Sequence, residues 1–410
     1  MSFVVAFNGA RDAYQVPLAL YEQSLLTKLA TDFYTPAVGA VIGQYIPAFK
    51  KLRSRYADGL PFWKVQSNAR LLKLQYLDPI LARLEIHSHL GVNPHEKNQA
   101  LLSLAALDIA NKTASNLFLY AGYAYEAFRS PLSSGMVKGV FQYHPHITLS
   151  AKILRNDLEL YPELTSALVR LQEDEKDSTN IYELMEADFV ICASSFSARS
   201  IEYVGVSRSK IHIIPYGINF DVNEHHIPEQ FTQTEVCHFL FIGSGIHRKG
   251  LHHLFEVWNK LKISDAHLTV VARTIDPNIA CLTPQTNVNI LTSQSPTALQ
   301  ELYKRSHVFV LPSLIEGFGY VYLDALSYGC YCIGTENTGF PDIGCPDYAG
   351  GIAIAGNIES LADAIIQAYK MFKKGSLNRL EIRKFASTKK WEKFRISVAN
   401  VSRKQEFMKT

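Results

Sequence analysis

The 410-residue sequence is short of several features that mark large protein classes. No stretch approaches the ~18 uncharged apolar residues of a membrane-spanning helix. The opening run Met1-Ser2-Phe3-Val4-Val5-Ala6-Phe7 has neither the basic start nor the long apolar segment of a secretory leader. Charge of one sign is scarce: 41 Lys and Arg against 38 Asp and Glu leave a formal +3, too slight a bias to make a nucleic acid the main partner. The six cysteines, Cys192, Cys237, Cys281, Cys330, Cys332 and Cys345, include no Cys-x-x-Cys pair and read as reduced thiols. No repeat of solenoid length is visible. The first apolar segment is followed by Gly-Ala-Arg-Asp, not Gly-x-Gly-x-x-Gly, which disfavours an ordinary nicotinamide-dependent dehydrogenase. These absences lead to the expectation of a cytoplasmic protein. The lysines at 373–374 and 389–390 offer a peripheral contact with anionic lipid or, alternatively, a solvated helix face.

What remains is an ordinary globular composition, 47% hydrophobic and 19% charged, in a chain too long for one core. About two domains of roughly 150 to 200 residues each are expected. Short apolar runs ending in Gly or polar residues alternate with longer stretches of helical period, the pattern of βαβ units on a parallel sheet. In the first half, strands are predicted at 3–7, 117–120, 137–143, 189–193 and 211–215. A second series is predicted at 237–243, 268–272, 288–291, 308–311 and 331–334, with helices at 251–261, 297–306 and 320–328. The reading is α/β, with two doubly wound domains in tandem. Their join is placed in 215–230, where Pro-Tyr-Gly and a polar stretch at 221–229 interrupt the periodicity.

Two loops carry the chemistry. Leu311-Pro312-Ser313-Leu314-Ile315-Glu316-Gly317-Phe318-Gly319-Tyr320 runs from a strand through a glycine turn into a helix. Glycines at a helix mouth let backbone N–H groups approach an anion, and the helix dipole favours a diphosphate there. Glu316 is placed to accept hydrogen bonds from sugar hydroxyls, and Asp324, eight positions on, to reach the next part of the same ligand. One such turn also arises for steric reasons alone. Phe241-Ile242-Gly243-Ser244-Gly245-Ile246-His247-Arg248-Lys249-Gly250 is a second strand, glycine loop and helix start, and it brings adjacent cations. One loop with an acid and one with Arg-Lys together suit a sugar nucleotide diphosphate.

Residues 236–345 resemble the donor domain of the family 4 glycosyltransferases. Their E-x7-E element is similar to Glu316 through Asp324, their Lys-Gly loop to 241–250, and their Gly-Pro-Asp-like loop to Thr338-Gly339-Phe340-Pro341-Asp342. Ala187-Asp188-Phe189-Val190-Ile191, Ser194-Ser195 and Ile214-Pro215-Tyr216-Gly217-Ile218-Asn219 extend the likeness. The resemblance implies a GT-B fold, two Rossmann-like domains facing across a cleft. The acceptor-side domain would span 1–218, the donor-side domain 219–390, and a last helix at about 391–410 would cross back to the first. It also implies sugar transfer with retention of anomeric configuration and no catalytic metal. Lys249 would bind donor phosphates, Glu316 the donor sugar, the amides of Gly317, Phe318 and Gly319 the diphosphate, and Asp324 the ribose. Two positions depart from the family pattern: Asp324 stands where Glu is usual, and Ser244 where Arg is frequent, a loss that Arg248 would offset.

In the first half, Asn8-Gly9-Ala10-Arg11-Asp12-Ala13-Tyr14-Gln15 resembles the glycine loop that faces the donor, which puts Gly9 at the cleft. His144, in Tyr143-His144-Pro145-His146, stands where the family often places a functional histidine, although a histidine beside a proline turn serves structure equally well. The group His87, His89 and His95 lacks a cysteine partner and reads as surface histidine rather than a metal site. The absence of any Asp-x-Asp points away from a divalent cation on the diphosphate and toward Lys249, Arg248 and helix dipoles. Trp391 reads as a packing anchor. The expected partners are a UDP- or GDP-sugar and a glycan, lipid-linked or protein acceptor, with no bound cofactor. The competing reading is a non-catalytic relative that binds a sugar nucleotide or glycan without converting it.

Overall fold

The structure, a computed structural model, describes residues 2–45, 50–67, 94–164, 166, 167, 169, 180–219 and 236–408. Two parallel sheets form the frame. The first has seven strands in the order β3-β2-β1-β4-β5-β6-β7 and the second six in the order β10-β9-β8-β11-β12-β13. In the first sheet these are β1 (Phe3–Ala6), β2 (Leu26–Thr31), β3 (Val65–Ser67), β4 (Asn116–Tyr120), β5 (Lys138–Gln142), β6 (Phe189–Cys192) and β7 (Ile211–Ile213). The second comprises β8 (Cys237–Ile242), β9 (Ala266–Val271), β10 (Val288–Leu291), β11 (Val308–Val310), β12 (Tyr331–Thr335) and β13 (Gly350–Ala353).

Each sheet is doubly wound: the chain runs outward from the sheet's first strand in one direction, then returns and continues in the other. The central strands are continuous apolar runs because helices cover both faces. Phe3, Val4, Val5 and Ala6 are all buried, as are Phe239, Leu240 and Phe241. In the first core, Phe118 and Phe189 pack 5.1 Å apart and both meet Phe3 edge-on.

Every predicted strand is present to within two residues at each end, and the helix Leu251–Leu261 has its expected bounds. Three strands were not predicted: β2, β3 and β13. β2 is Leu-Thr-Lys-Leu-Ala-Thr, whose lysine breaks the apolar run, and β3 has three residues. β13 is the edge strand Gly-Gly-Ile-Ala, where a missing neighbour relaxes the demand for β-branched residues. The whole polar stretch at 221–229 lies outside the described residues, as do His87 and His89 and the side chain of His95.

The last helix, Trp391–Met408, packs against Gln15–Glu22 beside the first sheet. Arg395 fixes it there, donating to Glu22 Oε2 at 2.8 Å and to Gln15 Oε1 at 2.9 Å. Trp391 is buried among Tyr216, Tyr320 and Phe394, and so anchors the crossing as expected. All six cysteines are free thiols. No helix among the described residues is long and apolar enough to cross a membrane.

Candidate active site between the two sheets

In an open doubly wound sheet, the loops leaving the first strand and its neighbour across the reversal diverge to opposite faces, opening a crevice at the strands' carboxyl ends. In the second sheet those strands are β8 and β11. The loop after β8 runs through a tight turn, His247–Lys249, to Gly250, whose left-handed φ of 68° starts the helix Leu251–Leu261. A Cβ on Gly250 would lie 2.0 Å from the Pro312 carbonyl oxygen, so the loops after β8 and β11 touch backbone to backbone. The Leu314 N–H donates to the Arg248 carbonyl at 2.9 Å and locks that contact.

This packing sets Glu316, only 8% exposed, against both cations. Arg248 Nη1 donates to Glu316 Oε2 at 3.1 Å, and Lys249 Nζ donates to the same oxygen. Burial alone would raise the Glu316 carboxyl, but Lys249 and Arg248 outweigh it and hold it at about 2. Lys249 is lowered by burial, with Glu316 opposing and Arg248 reinforcing the shift. Two cations therefore share one carboxylate, leaving a surplus positive charge at a half-buried point, the electrostatic condition for an anionic ligand. Ser244 is half-buried in the same loop and brings no charge, while Arg248 does reach the cluster.

After Glu316 the chain turns through Gly317, Phe318 and Gly319 into the helix Tyr320–Ser327, with Gly319 at a left-handed φ of 89°. Among the described residues the amides of Gly317, Phe318 and Gly319 have no hydrogen-bond acceptor, so they stand as donors at a helix mouth. Phe318 offers only its backbone, because its ring is buried against Tyr216 and Tyr320. Asp324 lies on the exposed side of that helix, one turn beyond Tyr320 and beside Tyr303.

The first sheet supplies the opposing wall. A Cβ on Gly317 would lie 2.1 Å from the Tyr143 carbonyl oxygen and 3.2 Å from His144 Nδ1. His144, at the end of β5, therefore touches the glycine turn. Its side chain keeps an exposed side. The protein around the other sides lowers its pKa to about 4, Glu316 opposing and Arg248, Arg11 and Lys249 adding to the shift, so the imidazole is neutral at pH 7. His146 has a different place: it is buried, and its Nδ1 accepts from the Thr148 N–H at 3.3 Å as the cap of the helix Ile147–Leu160.

The loop after β1 holds three consecutive non-glycine residues in the left-handed region: Asp12 (φ 41°), Ala13 (49°) and Tyr14 (64°). Such conformations cost about 1–3 kcal/mol each and concentrate at functional sites. The Tyr120 hydroxyl lies 2.7 Å from both Asp12 carboxylate oxygens. Burial lifts Asp12 to about 7, against the lowering effect of Tyr120, the Val16 N–H and Arg11. Arg11 stacks 4.1 Å above the Tyr143 ring. Gly9 is in this loop with φ 92°, but its N–H donates to Asp32 Oδ1 at 3.1 Å, and Arg55 pairs with the same oxygen. Its amide is therefore committed to the protein, and the expectation that Gly9 contacts a donor narrows to the space its missing side chain leaves.

Hydrogen bonds join the two walls. Ser194 Oγ donates to the Gly317 carbonyl at 2.5 Å, and the Ser195 N–H and hydroxyl bond Asp342 Oδ2 at 2.9 and 3.0 Å. Asp342, the acid of the Gly-Phe-Pro-Asp loop, thus serves as a latch between domains. Sequence reasoning missed this latch, the pairing of Glu316 with Lys249, and the Asp12–Tyr120 contact, because none of the three pairs is local in sequence.

Residues 223–380 match the family model described as Glycosyl transferases group 1. The whole chain is similar to a glycosyltransferase from Rickettsia africae ESF-5, with 14% identity, 98% of each chain covered and a TM-score of 0.59. The chain has the GT-B fold. A lipopolysaccharide outer core galactosyltransferase in its apo form superimposes with a TM-score of 0.60 at 14% identity, over 98% of this chain and 100% of that one. An Anabaena protein solved with UDP and glucose gives 0.58 at 12%, over 98% and 99%. No curated protein matches this GT-B chain by sequence. The group 1 match across the second sheet and the shared fold together support sugar transfer as the reaction class.

Proposed function

We propose that the protein transfers a sugar from a nucleotide-diphosphate sugar to an acceptor hydroxyl, with retention of anomeric configuration and without a divalent cation on the diphosphate. The observation that carries this reading is the cluster of Glu316, Lys249 and Arg248 at the second sheet's crevice, facing His144. The donor-side domain is assigned to 219–390, with the acceptor-side domain comprising 1–218 and the returning helix at 391–410.

Cleaving the bond between sugar and diphosphate puts negative charge on the leaving oxygen. Fixed donors aimed at that charge stabilise the transition state more than the ground state. Lys249, Arg248 and the amides of Gly317, Phe318 and Gly319 take that role. Glu316 holds the two cations in position and accepts from the sugar hydroxyls. Neutral His144, on the acceptor wall, hydrogen-bonds the sugar next to the reacting carbon, and Asp324 takes the ribose. In retaining transfer the acceptor attacks from the face the diphosphate leaves, so the departing phosphate oxygen is available to receive the acceptor proton. The acceptor is a hydroxyl of a glycan, a lipid-linked saccharide or a protein, and the setting is cytoplasmic. A UDP-hexose is the first donor to try, since the Anabaena neighbour was solved with UDP and glucose.

The test is a panel of UDP- and GDP-sugars incubated with the pure protein, with and without chelator, reading released nucleotide diphosphate. Chelator-resistant release from one donor supports the proposal. Silence across the panel while nucleotides still raise the melting temperature transfers the assignment to a sugar-nucleotide-binding relative.

A further inference from the structure

A second polar cluster lies apart from the glycine turn, where the helix Ile147–Leu160 of the first domain meets the start of the helix Leu251–Leu261 of the second. Asp157 projects from the first element, and His247, His252 and His253 from the second. Asp157 Oδ2 is 2.6 Å from His247 Nε2 and 3.0 Å from His252 Nε2, and Asp157 Oδ1 is 2.8 Å from His253 Nε2. All four side chains are buried. Nothing in the proposed transfer reaction uses them. We propose that Asp157, His247, His252 and His253 form a zinc-binding site that ties the two domains together.

The donor set is the first argument. Three imidazole nitrogens and one carboxylate oxygen are the ligand types Zn2+ takes in four-coordinate sites. Among the described residues Asp157, His247 and His252 are the only three histidines, cysteines or acids whose ligand atoms all lie within 4.8 Å of one another. With zinc–ligand bonds of about 2.0–2.1 Å, neighbouring ligand atoms of a tetrahedron lie ~3.3 Å apart, so His247 and His252 need draw back from Asp157 Oδ2 by only about 0.3–0.7 Å, while His253, outside that group of three, has to turn in toward them.

The second argument is the direction of the groups. His253 Nε2 and Asp157 Oδ1 are within contact distance, yet off the axis of a hydrogen bond, and both are buried with no other hydrogen-bond partner. Buried polar atoms almost always share a proton with something. Two that lie 2.8 Å apart without doing so are open to a shared cation. The surroundings are those of a built site: the Tyr161 ring packs edge-on to His252 and His253, and its hydroxyl donates to Glu256 at 2.6 Å.

Because Asp157 belongs to one domain and the histidines to the other, the ion would fix the domains' relative position. It would also brace the turn His247–Lys249 that carries the two donor cations. This is a structural role, separate from any metal on the diphosphate.

The test uses the full, tag-free chain, stripped with chelator and titrated with Zn2+ in competition with a chromophoric chelator. Co2+ is the spectroscopic probe. The expected results are one Zn2+ bound per chain, a zinc-dependent rise in melting temperature, and intense visible d–d bands of tetrahedral Co2+. His252→Leu and, separately, Asp157→Asn should each weaken zinc binding about 100-fold or more. His253→Asn, the milder change, provides the same comparison if either variant fails to fold. The proposal is overturned if the wild-type chain binds no stoichiometric zinc, which would leave a latch made of hydrogen bonds alone. Zinc retained equally by all three variants, or a Co2+ spectrum of octahedral intensity, would overturn it as well.

Discussion

The two crevices are built on the same winding order and hold opposite chemistry. In the second sheet, Arg248 and Lys249 converge on Glu316 beside backbone amides that have no acceptor among the described residues. In the first sheet the corresponding position carries a strained loop, a carboxyl lifted to about 7, a tyrosine hydroxyl and an arginine stacked on an aromatic ring. One wall concentrates positive charge and those N–H groups, which suits the anionic diphosphate of the proposed donor, and the other presents a raised carboxyl, a phenol and a stacked guanidinium. The difference teaches that winding order decides where a site lies, while a few side chains at strand ends decide what it binds.

The sharpest way to break this comparison is to remove the charge from one wall. Lys249→Ala should lower kcat on the order of 10²–10³-fold, as for loss of one transition-state donor, with a smaller loss of stability because buried Glu316 is left with Arg248 alone. Undiminished transfer would remove Lys249 from the reaction. Contact between the walls is tested by Gly317→Ala, whose methyl has no room beside the Tyr143 carbonyl. The expected stability loss is about 1–3 kcal/mol by denaturant unfolding, together with reduced turnover.

A pH titration of stability separates Glu316 from the other acids. Glu316 is held at about 2 in the folded protein against an ordinary 4.5. Between those values the unfolded chain binds a proton that the folded chain does not, so this contribution is complete above pH 4.5 and is lost as pH falls toward 2. Glu316→Gln should flatten that part of the acid limb, and an unchanged limb would contradict the pairing with Lys249 and Arg248. The two neighbouring histidines give the smallest and most discriminating contrast. His144→Asn should reduce kcat about tenfold or more without moving the melting temperature. His146→Ala should cost about 1 kcal/mol of stability through the lost helix cap and leave kcat unchanged.

The second sheet's strand, glycine turn and helix were legible in the sequence because they are local and follow one another from Leu311 to Tyr320. The first sheet was harder to read. β2 carries Lys28 within its short run and β3 has only three residues, so neither shows the apolar continuity by which buried strands are recognised. Pairs that meet only through the fold, such as Ser195 with Asp342 or Asp157 with His252, leave no spacing to detect. His144 and His146 illustrate the limit at close range. They are two residues apart beside one proline, and only the path of β5 into the next helix sets one at the crevice and the other under a cap.

The central claim, that a nucleotide diphosphate sits on the Lys249 and Arg248 wall, is tested most directly by calorimetric titration of UDP and GDP into wild-type and Lys249→Ala protein with chelator present. The account predicts chelator-independent binding of one nucleotide to the wild-type chain, weakened at least about tenfold in the variant. Equal affinity in both proteins would place the nucleotide elsewhere and contradict the account.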